Sequence, residues 1–316
     1  MPRLPGAFFQ LIRWPNLVFI ALTQYLFYTC ILLPSLQENP SGGYRDLLAP
    51  PLFYLLSLSS VLIAAAGYII NDYFDLNIDR VNKPERLVVD KIIKRRWTIV
   101  WHWVLSGLGV LLGCYISWKI HNIIIGLANV GCVVLLWFYS TTFKRKLLIG
   151  NVVISLLTAW VLLVLYISEF RVAEFRDPVY HHGLSRAFKF DVLYAGFAFI
   201  LSLIREVVKD IEDMEGDRRY GCRTIPIVWG VNTAKVFAAT WLVVLIGSLM
   251  ILQFYVLQYG WWWILLYSIL LLIIPLFWIL RKLYDARTVA DYHFLSKLIK
   301  GAMLAGILSM ILVRYV

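Results

Sequence analysis

The chain has 316 residues, of which 61% are hydrophobic and only 16% are charged. A soluble domain carries roughly 45–50% apolar and about 25% charged residues, so the composition excludes an ordinary soluble protein and a disordered one. Lysine and arginine outnumber aspartate and glutamate by 30 to 19, which gives a formal net charge of +11. In so apolar a chain, a basic excess more often sets topology and contacts anionic lipids than binds nucleic acid. We therefore expect a membrane protein that contacts lipids and has no nucleic-acid partner.

Nine segments are apolar enough to cross a bilayer as helices, which requires about 20 mainly apolar residues. They are residues 8–33, 50–70, 97–118, 120–142, 147–168, 190–204, 233–257, 261–280 and 298–313. Arg13 and Pro15 interrupt the first segment, so its membrane part should begin near Asn16. The sixth has only 13 uninterrupted apolar residues, Val192–Ile204, and spans only if its polar end continues as helix in a wet cavity or at the surface. We predict an all-α bundle of nine transmembrane helices.

Basic residues are distributed unequally between the two sides of this predicted bundle. The N-terminal segment, the loops after even-numbered spans and the adjoining span ends hold 23 of the 30 lysines and arginines. Short loops rich in Lys and Arg stay in the cytoplasm. We therefore predict a cytoplasmic N-terminus and a C-terminus on the opposite side, in the cell inner membrane if the source is bacterial.

Aspartates recur with one spacing just after the second and sixth predicted spans. The first cluster has Asp72, Asp75, Asp79 and Arg80, and the second, 138 residues later, has Asp210, Asp213, Asp217 and Arg218. The spacing i, i+3, i+7 places side chains on one helix face, so each cluster should present a row of three carboxylates. Such a row at a helix C-terminus opposes the macrodipole and repels itself, which argues against a purely structural role. The repeat suggests one domain, residues 1–316, of two pseudo-repeated halves with motifs at 71–86 and 209–224.

Six convergent carboxylates require cations to offset their charge. Oxygen ligands suit hard ions, and Mg²⁺ typically uses one or two carboxylates together with substrate phosphates. Basic side chains follow both clusters and the fourth span, among them Lys83, Arg86, Lys144 and Arg223, and such groups neutralise a leaving diphosphate. The residues therefore predict a diphosphate held by magnesium between the two aspartate rows.

These motifs resemble those of the UbiA superfamily of intramembrane prenyltransferases. The run Asn71–Asp79 matches the first family motif, NDxxDxxxD, without a gap, and Asp213–Asp217 matches the second, DxxxD. The run Tyr139–Lys144 is similar to the YxxxK element with one extra residue, and Leu87 follows Arg86 where members often have proline. Nine spans, with motifs after the second and sixth, extend the resemblance over essentially the whole chain.

The resemblance implies a helical bundle around a large central cavity, capped on the cytoplasmic side by two aspartate-bearing loops. It also implies Mg²⁺ and an isoprenyl diphosphate donor, with five catalytic magnesium and diphosphate ligands: Asp72, Asp75, Asp79, Asp213 and Asp217. Asp210 joins the ligands on the strength of the repeat alone. The side chains expected to contact the donor or the acceptor are Asn16, Asn71, Lys83, Arg86, Tyr139, Lys144, Asp210 and Arg223. Candidates to face a developing allylic cation are Tyr68, Tyr73 and Phe74.

The acceptor stays open at this point, and so does a function of another class. The overall sequence, including the segment after Asp217, resembles the family branch that prenylates geranylgeranylglycerol phosphate. We therefore favour that acceptor over the others. Other members prenylate aromatic acids (4-hydroxybenzoate or naphthoate) for quinone synthesis, and a lipophilic or anionic acceptor of either kind suits the basic face. The alternative is a cation-coupled transporter, whose carboxylates should interrupt spans near their middle.

Overall fold

The computed structural model describes residues 4–37, 48–170 and 178–315, and over these ranges the chain forms helices and no β-strand. The α-helices are α1 (Leu4–Leu11), α2 (Trp14–Phe27), α3 (Leu33–Gln37), α4 (Pro50–Asn82), α5 (Arg95–Lys119), α6 (Ile123–Thr141), α7 (Ile149–Glu169), α8 (Pro178–Glu212), α9 (Met214–Arg219), α10 (Ile225–Val228), α11 (Val231–Gln258), α12 (Trp262–Ser268), α13 (Ile274–Asp285) and α14 (Val289–Val313). π-Helical turns join α2 to α3 and α12 to α13, and 3₁₀ turns lie at Pro84–Arg86 and Phe143–Arg145.

Nine helical segments in the described part of the chain are long and apolar enough to span a membrane, which confirms the predicted number. They are Trp14–Leu36, Pro50–Asn82, Arg95–Lys119, Ile123–Thr141, Ile149–Glu169, His182–Glu212, Val231–Gln258, Trp262–Asp285 and Val289–Val313. Large apolar side chains cover the outside of the bundle, and Ile251 and Phe254 are each 71% exposed. A surface of this kind suits lipid rather than water. The protein is an integral membrane protein.

Two spans have boundaries that differ from those predicted. The first predicted apolar segment covers residues 8–33, but the spanning helix begins at Trp14, close to Asn16, where we expect its membrane part to begin. Arg13 has a left-handed backbone (φ 51°) and Pro15 occupies the first turn of the new helix. The sixth predicted segment, 190–204, is only the middle of the 35-residue α8. Its polar end remains helical through Glu212 and lines a cavity, as a span with so short an apolar run requires.

The two longest helices, α4 and α8, each pack against several other helices of the bundle. α4 packs against α2, α5 and α6, and α8 packs against α7, α11 and α14. Because lipid provides no hydrophobic drive for helix association, small residues that allow close approach become important. At the α4–α5 contact, the Ser59 hydroxyl donates to the carbonyl of Gly109 at 2.7 Å, and a Cβ on Gly109 would lie 2.6 Å from the Ile63 side chain. This close packing fixes α4, whose C-terminal part carries the first aspartate row.

Candidate active site

The first aspartate row lies on the C-terminal third of α4. The helix is unbroken from Pro50 to Asn82, and Asp72, Asp75 and Asp79 all line one cavity. The predicted helical row is therefore confirmed. The expectation of an aspartate-bearing loop is wrong for this row, because these residues belong to the same helix that crosses the apolar bundle.

The second aspartate row crosses a break between two helices. Asp210 is in the last turn of α8, Asp213 lies between α8 and α9, and Asp217 is in α9. The N–H of Asp213 donates to the Lys209 carbonyl at 2.8 Å, and the N–H of Asp217 donates to the Asp213 carbonyl at 3.2 Å, so helix-like hydrogen bonding continues across the break. One unbroken helical face was predicted, and that detail is wrong. All three carboxylates nevertheless line the same cavity as the first row.

The side chain of Asn82 connects the two rows. Its Nδ2 donates to the Asp213 carbonyl at 2.9 Å, and its Oδ1 accepts from the N–H of Gly216 at 2.8 Å. The last residue of α4 thus binds the backbone at two positions within the second motif. Two segments that are more than 130 residues apart are thereby held at a defined separation.

The cavity between the rows has a volume of about 370 Å³. The predicted site residues that line it are Asn16, Asn71, Asp72, Asp75, Asp79, Lys83, Tyr139, Lys144, Asp210, Asp213 and Asp217. Arg223 is not brought into it: this side chain is exposed, and its backbone N–H donates to the Arg145 carbonyl at 2.8 Å. Arg86 ends a 3₁₀ turn, and its side chain lies outside the described part of the structure.

Basic side chains pair with carboxylates from both rows. Arg13 Nη2 donates to Asp72 Oδ1 at 2.6 Å, and Lys83 Nζ lies 2.7 Å from Asp213 Oδ1. Lys83 follows the first row in sequence but pairs with the second, so it spans the cavity. Both positively charged side chains therefore line the cavity between the two rows.

Lys144 reaches the same cavity despite the extra residue in its motif. It lies in the 3₁₀ turn Phe143–Arg145, pairs with Asp75 and donates to Asn71 Oδ1 at 3.3 Å. The turn accommodates the additional residue, so the ammonium group reaches the first aspartate row. The side chain of Lys144 is only 10% exposed, and its charge is directed into the site rather than to solvent.

The carboxylates in this cavity lie close enough together to shift the pKa values of the ionisable groups there. Burial, followed by the neighbouring Asp213 and Asp75 charges, raises the pKa of Asp217 to about 7. In the opposite sense, the Asp72 carboxylate raises the pKa of Arg13 above its ordinary value. Close carboxylates favour protonation of one another and favour nearby cations. The site is therefore one in which a cation should displace a proton.

The donor set fits Mg²⁺. Within the described ranges, no three His, Cys, Asp or Glu side chains stand close enough to hold a metal ion by themselves. Asp79 and Asp217 line the cavity and make no side-chain hydrogen bond or ion pair with any described residue, so their oxygens are available. Since Mg²⁺ typically takes one or two carboxylates together with water and substrate phosphates, this arrangement fits an ion that binds together with a diphosphate.

A second, mainly apolar cavity of about 270 Å³ extends from the aspartate cavity into the bundle, and we call it the apolar chamber. The lining residues that both cavities share are Arg13, Asn16, Asn71, Tyr139, Arg205, Glu206 and Lys209. Farther in, the walls are apolar and include Ile63, Leu136 and Leu157. The combined space is therefore charged at one end and hydrocarbon-like at the other.

Of the three candidate aromatic residues, Tyr68 alone lines the apolar chamber. The Arg13 guanidinium lies 5.2 Å from its ring centroid, close to where the two cavities meet. Tyr73 instead stacks with Arg95 at 4.3 Å, and Phe74 packs on Trp137. The spacing did not distinguish these faces of α4, and Tyr73 and Phe74 line neither cavity.

Several polar residues at the site were not assigned a role from the sequence: Arg13, Asn82, Asn151, Arg205, Glu206, Lys209 and Lys300. Asn151 on α7 donates from Nδ2 to Asp210 Oδ2 at 2.8 Å, and Lys300 on α14 donates to Asn16 Oδ1 at 2.6 Å. All of them lie at or near the ends of apolar segments, where polar residues are common. Position near a span end is the only sequence signal that could have indicated them.

The chain is similar in sequence to a known protein family and to several of its named relatives. Residues 42–303 match the UbiA prenyltransferase family. The digeranylgeranylglyceryl phosphate synthase of Methanothermobacter thermautotrophicus is 34% identical over 209 residues, which cover 65% of this chain and 66% of that protein. The protein of the same name from Sulfolobus acidocaldarius is 31% identical over 246 residues, 76% of this chain and 75% of that one. The match thus spans slightly less than two thirds of the M. thermautotrophicus relative.

Solved structures have the same fold. A structure described as digeranylgeranylglyceryl phosphate synthase in membranes has a TM-score of 0.60 and 25% identity over 96% of this chain and 98% of that one. A UbiA homolog from Aeropyrum pernix has a TM-score of 0.59 and 16% identity, covering 98% of both chains. A UbiA homolog from Archaeoglobus fulgidus bound to DMAPP and Mg²⁺ has a TM-score of 0.55 and 17% identity, covering 96% of this chain and 98% of that one. These likenesses confirm the predicted helical fold.

Proposed function

The chain belongs to the UbiA prenyltransferase family, and on this premise we propose that it transfers a polyprenyl group from an isoprenyl diphosphate to a glycerol phosphate-type lipid acceptor. The observation that carries the proposal is a pair of adjoining cavities with two aspartate rows and paired basic side chains at one end and apolar walls at the other. An isoprenyl diphosphate has the same division between a charged head and a hydrocarbon chain. Both halves of the sequence contribute to this space, which supports a single domain.

The aspartate cavity is the proposed donor-head site. The residues that would hold Mg²⁺ and the diphosphate are Asp72, Asp75, Asp79, Asp210, Asp213 and Asp217. Mg²⁺ bound there would neutralise charge on the leaving diphosphate. The A. fulgidus homolog structures bound to DMAPP or GPP together with Mg²⁺ support this assignment by analogy of fold.

The basic side chains would stabilise the departing diphosphate. In this structure Arg13, Lys83 and Lys144 are paired with carboxylates; with substrate present, their N–H groups would donate to phosphate oxygens, since charge-assisted hydrogen bonds to phosphate are strong. As the allylic C–O bond breaks, the Tyr68 ring can face the cationic carbon. The apolar chamber would exclude water, which would otherwise compete with the acceptor hydroxyl.

The acceptor assignment follows the relatives and the charge of the cavity. Both curated relatives reported above are named digeranylgeranylglyceryl phosphate synthases, which favours a prenylated glycerol phosphate over an aromatic acid. A transporter should carry its carboxylates midway along spans, whereas these six lie in the last third of α4 and around the end of α8. We further propose, from the distribution of basic residues, that the aspartate cavity opens toward the cytoplasm.

A direct test uses the purified protein in phosphatidylcholine nanodiscs with geranylgeranyl diphosphate and Mg²⁺. It is assayed in parallel with geranylgeranylglycerol phosphate, 4-hydroxybenzoate and a naphthoate, and the products are identified by mass. We expect the digeranylgeranyl product with the first acceptor only, and its loss when EDTA removes the metal. Prenylation of an aromatic acid instead would overturn the acceptor assignment, and the absence of any metal-dependent product would overturn the proposed function.

A further inference from the structure

We propose that Arg205, Lys209 and Lys300 form the binding site for the phosphate of the acceptor, where α8 and α14 line the apolar chamber. All three residues line that chamber. The inference rests on the proposed function and deepens it, because it names the side chains that would recognise the phosphorylated acceptor. The donor diphosphate is assigned to other residues, between the aspartate rows.

Lys300 is placed for an anion other than the donor diphosphate. Its Nζ donates to Asn16 Oδ1 at 2.6 Å, and it forms no ion pair with any carboxylate in the described part of the chain. It lines the apolar chamber and a neighbouring surface groove beside Trp14, but not the aspartate cavity. The Nζ also lies 4.8 Å from the centroid of the Phe19 ring. This half-buried ammonium group therefore contacts an amide and an aromatic face but no carboxylate among the described residues, and it is available to a negatively charged ligand.

Arg205 provides a second, independent indication. Its Nη1 donates to Glu206 Oε1 at 3.1 Å, whereas its Nε is buried and has no hydrogen-bond partner. Buried donors are rarely left without an acceptor, because the unmade hydrogen bond is unfavourable. Because Arg205 also lines the chamber, its Nε–H is free to donate to an oxygen of a ligand bound there.

The charges on this part of the chamber match a phosphate monoester. Arg205 and Lys209 share one carboxylate, that of Glu206, whose oxygens lie 3.0–3.2 Å from the donor nitrogens. Together with Lys300, three positive charges face one negative charge. A phosphate monoester carries about −1.5 to −2 at pH 7, so it would balance this excess. The prenyl chain of the same molecule would lie against the apolar walls.

The experiment measures steady-state KM values in phosphatidylcholine nanodiscs, so that no anionic lipid competes. Lys300→Met and Arg205→Lys are compared with wild type, and Lys297→Met is the matched control, since Lys297 is an exposed lysine one turn earlier on α14. Each protein is assayed with geranylgeranylglycerol phosphate and with geranylgeranylglycerol, which lacks the phosphate. Lys300→Arg tests whether a positive charge at this position is enough to keep the acceptor KM low. Thermal unfolding identifies variants that fail to fold.

We expect Lys300→Met to raise the KM for the phosphorylated acceptor about tenfold, which is the loss of one good charged contact, with little change in the KM for the donor. Arg205→Lys, which keeps the charge but lacks the Nε–H, should also raise the acceptor KM. Wild type and Lys300→Met should have the same high KM for the phosphate-free acceptor. The inference would be overturned if the substitutions raised the KM for both acceptors equally, or if they raised the KM for the donor instead. Failure of wild type to prenylate the phosphorylated acceptor would instead show that the proposed function is wrong, and the inference would fall with it.

Discussion

The side chain of Asn82 closes against Gly216 so tightly that no other residue fits at position 216 without movement. The Gly216 N–H donates to Asn82 Oδ1 at 2.8 Å, and a Cβ on Gly216 would lie 2.5 Å from that same oxygen and 2.6 Å from Nδ2. The end of the first aspartate helix is thereby held against the helix that carries Asp217. The distance between the two rows, which decides whether one diphosphate can contact both, depends on this contact.

Asn82→Ala and Gly216→Ala should therefore reduce catalysis without removing a ligand. The first deletes two hydrogen bonds, each worth about 0.5–1.5 kcal/mol, and the second displaces the Asn82 amide. A misplacement of about 1 Å can cost on the order of 100-fold in rate, so we expect kcat to fall by at least about tenfold and the Mg²⁺ requirement to rise. Gly247→Ala is the matched control, because a Cβ there meets nothing within 4 Å. Normal kcat and Mg²⁺ dependence in Asn82→Ala would contradict the proposed role.

Neutralising one carboxylate in either row should abolish most prenyl transfer. Asp72→Asn and Asp213→Asn keep the side-chain shape but remove a charge that binds Mg²⁺ with the diphosphate, and loss of one such electrostatic contact typically costs about 10²–10³ in rate. Turnover of purified variants is measured against Mg²⁺ concentration. Glu215→Gln, an exposed acid between Asp213 and Asp217, should retain wild-type turnover. If Asp72→Asn or Asp213→Asn remains nearly as active as wild type, the site assignment is wrong.

The raised pKa of Asp217, about 7 against an ordinary value of 3.8, predicts a pH dependence with a definite sign. The folded protein keeps this proton up to about pH 7, whereas the unfolded chain releases it near 3.8, so the stabilisation is present at acidic pH and is lost as pH rises through 7. In metal-free buffer, the unfolding temperature of wild type should fall between pH 5 and pH 8 more than that of Asp217→Asn. Mg²⁺ must displace the proton, so its affinity should increase with pH over the same range, by at most about tenfold per unit for one proton. Parallel pH profiles for the two proteins would refute this role for Asp217.

The parts of the structure that could be predicted are those decided by solvent and helical periodicity. The nine spans follow from the requirement that backbone groups in lipid pair internally, and the Asp72 row follows from the 3.6-residue repeat of α4. The break at Asp213 could not be predicted, because the i, i+3, i+7 spacing is the same in both rows. Nor could the pairing of Arg13 with Asp72, since both lie near span ends where charge is equally expected to be solvated. Such contacts depend on which helices become neighbours, and a local pattern does not contain that information.

Lys144 is a further case, because its position depends on a glycine six residues later in the chain. The 3₁₀ turn that carries it passes directly over Gly150, where a Cβ would lie 2.7 Å from the Lys144 Cα and 3.0 Å from the Phe143 carbonyl oxygen. These are backbone atoms, which cannot rotate out of the way as a side chain can. Gly150 is therefore required for the turn to approach α7 and direct the Lys144 ammonium group toward Asp75.

Gly150→Ala should consequently act through Lys144. Overpacking of this kind typically costs about 1–3 kcal/mol of stability, and displacement of the turn should raise the KM for the isoprenyl diphosphate, as we also expect for Lys144→Met. Gly131→Ala on α6, where a Cβ meets nothing within 4 Å, is the control for a glycine-to-alanine change. The decisive measurement is a double-mutant cycle: if the glycine serves to position the lysine, Gly150→Ala should add little to the donor KM of Lys144→Met, because the two changes remove the same interaction. Additive effects on the donor KM would mean that Gly150 affects the site by another route.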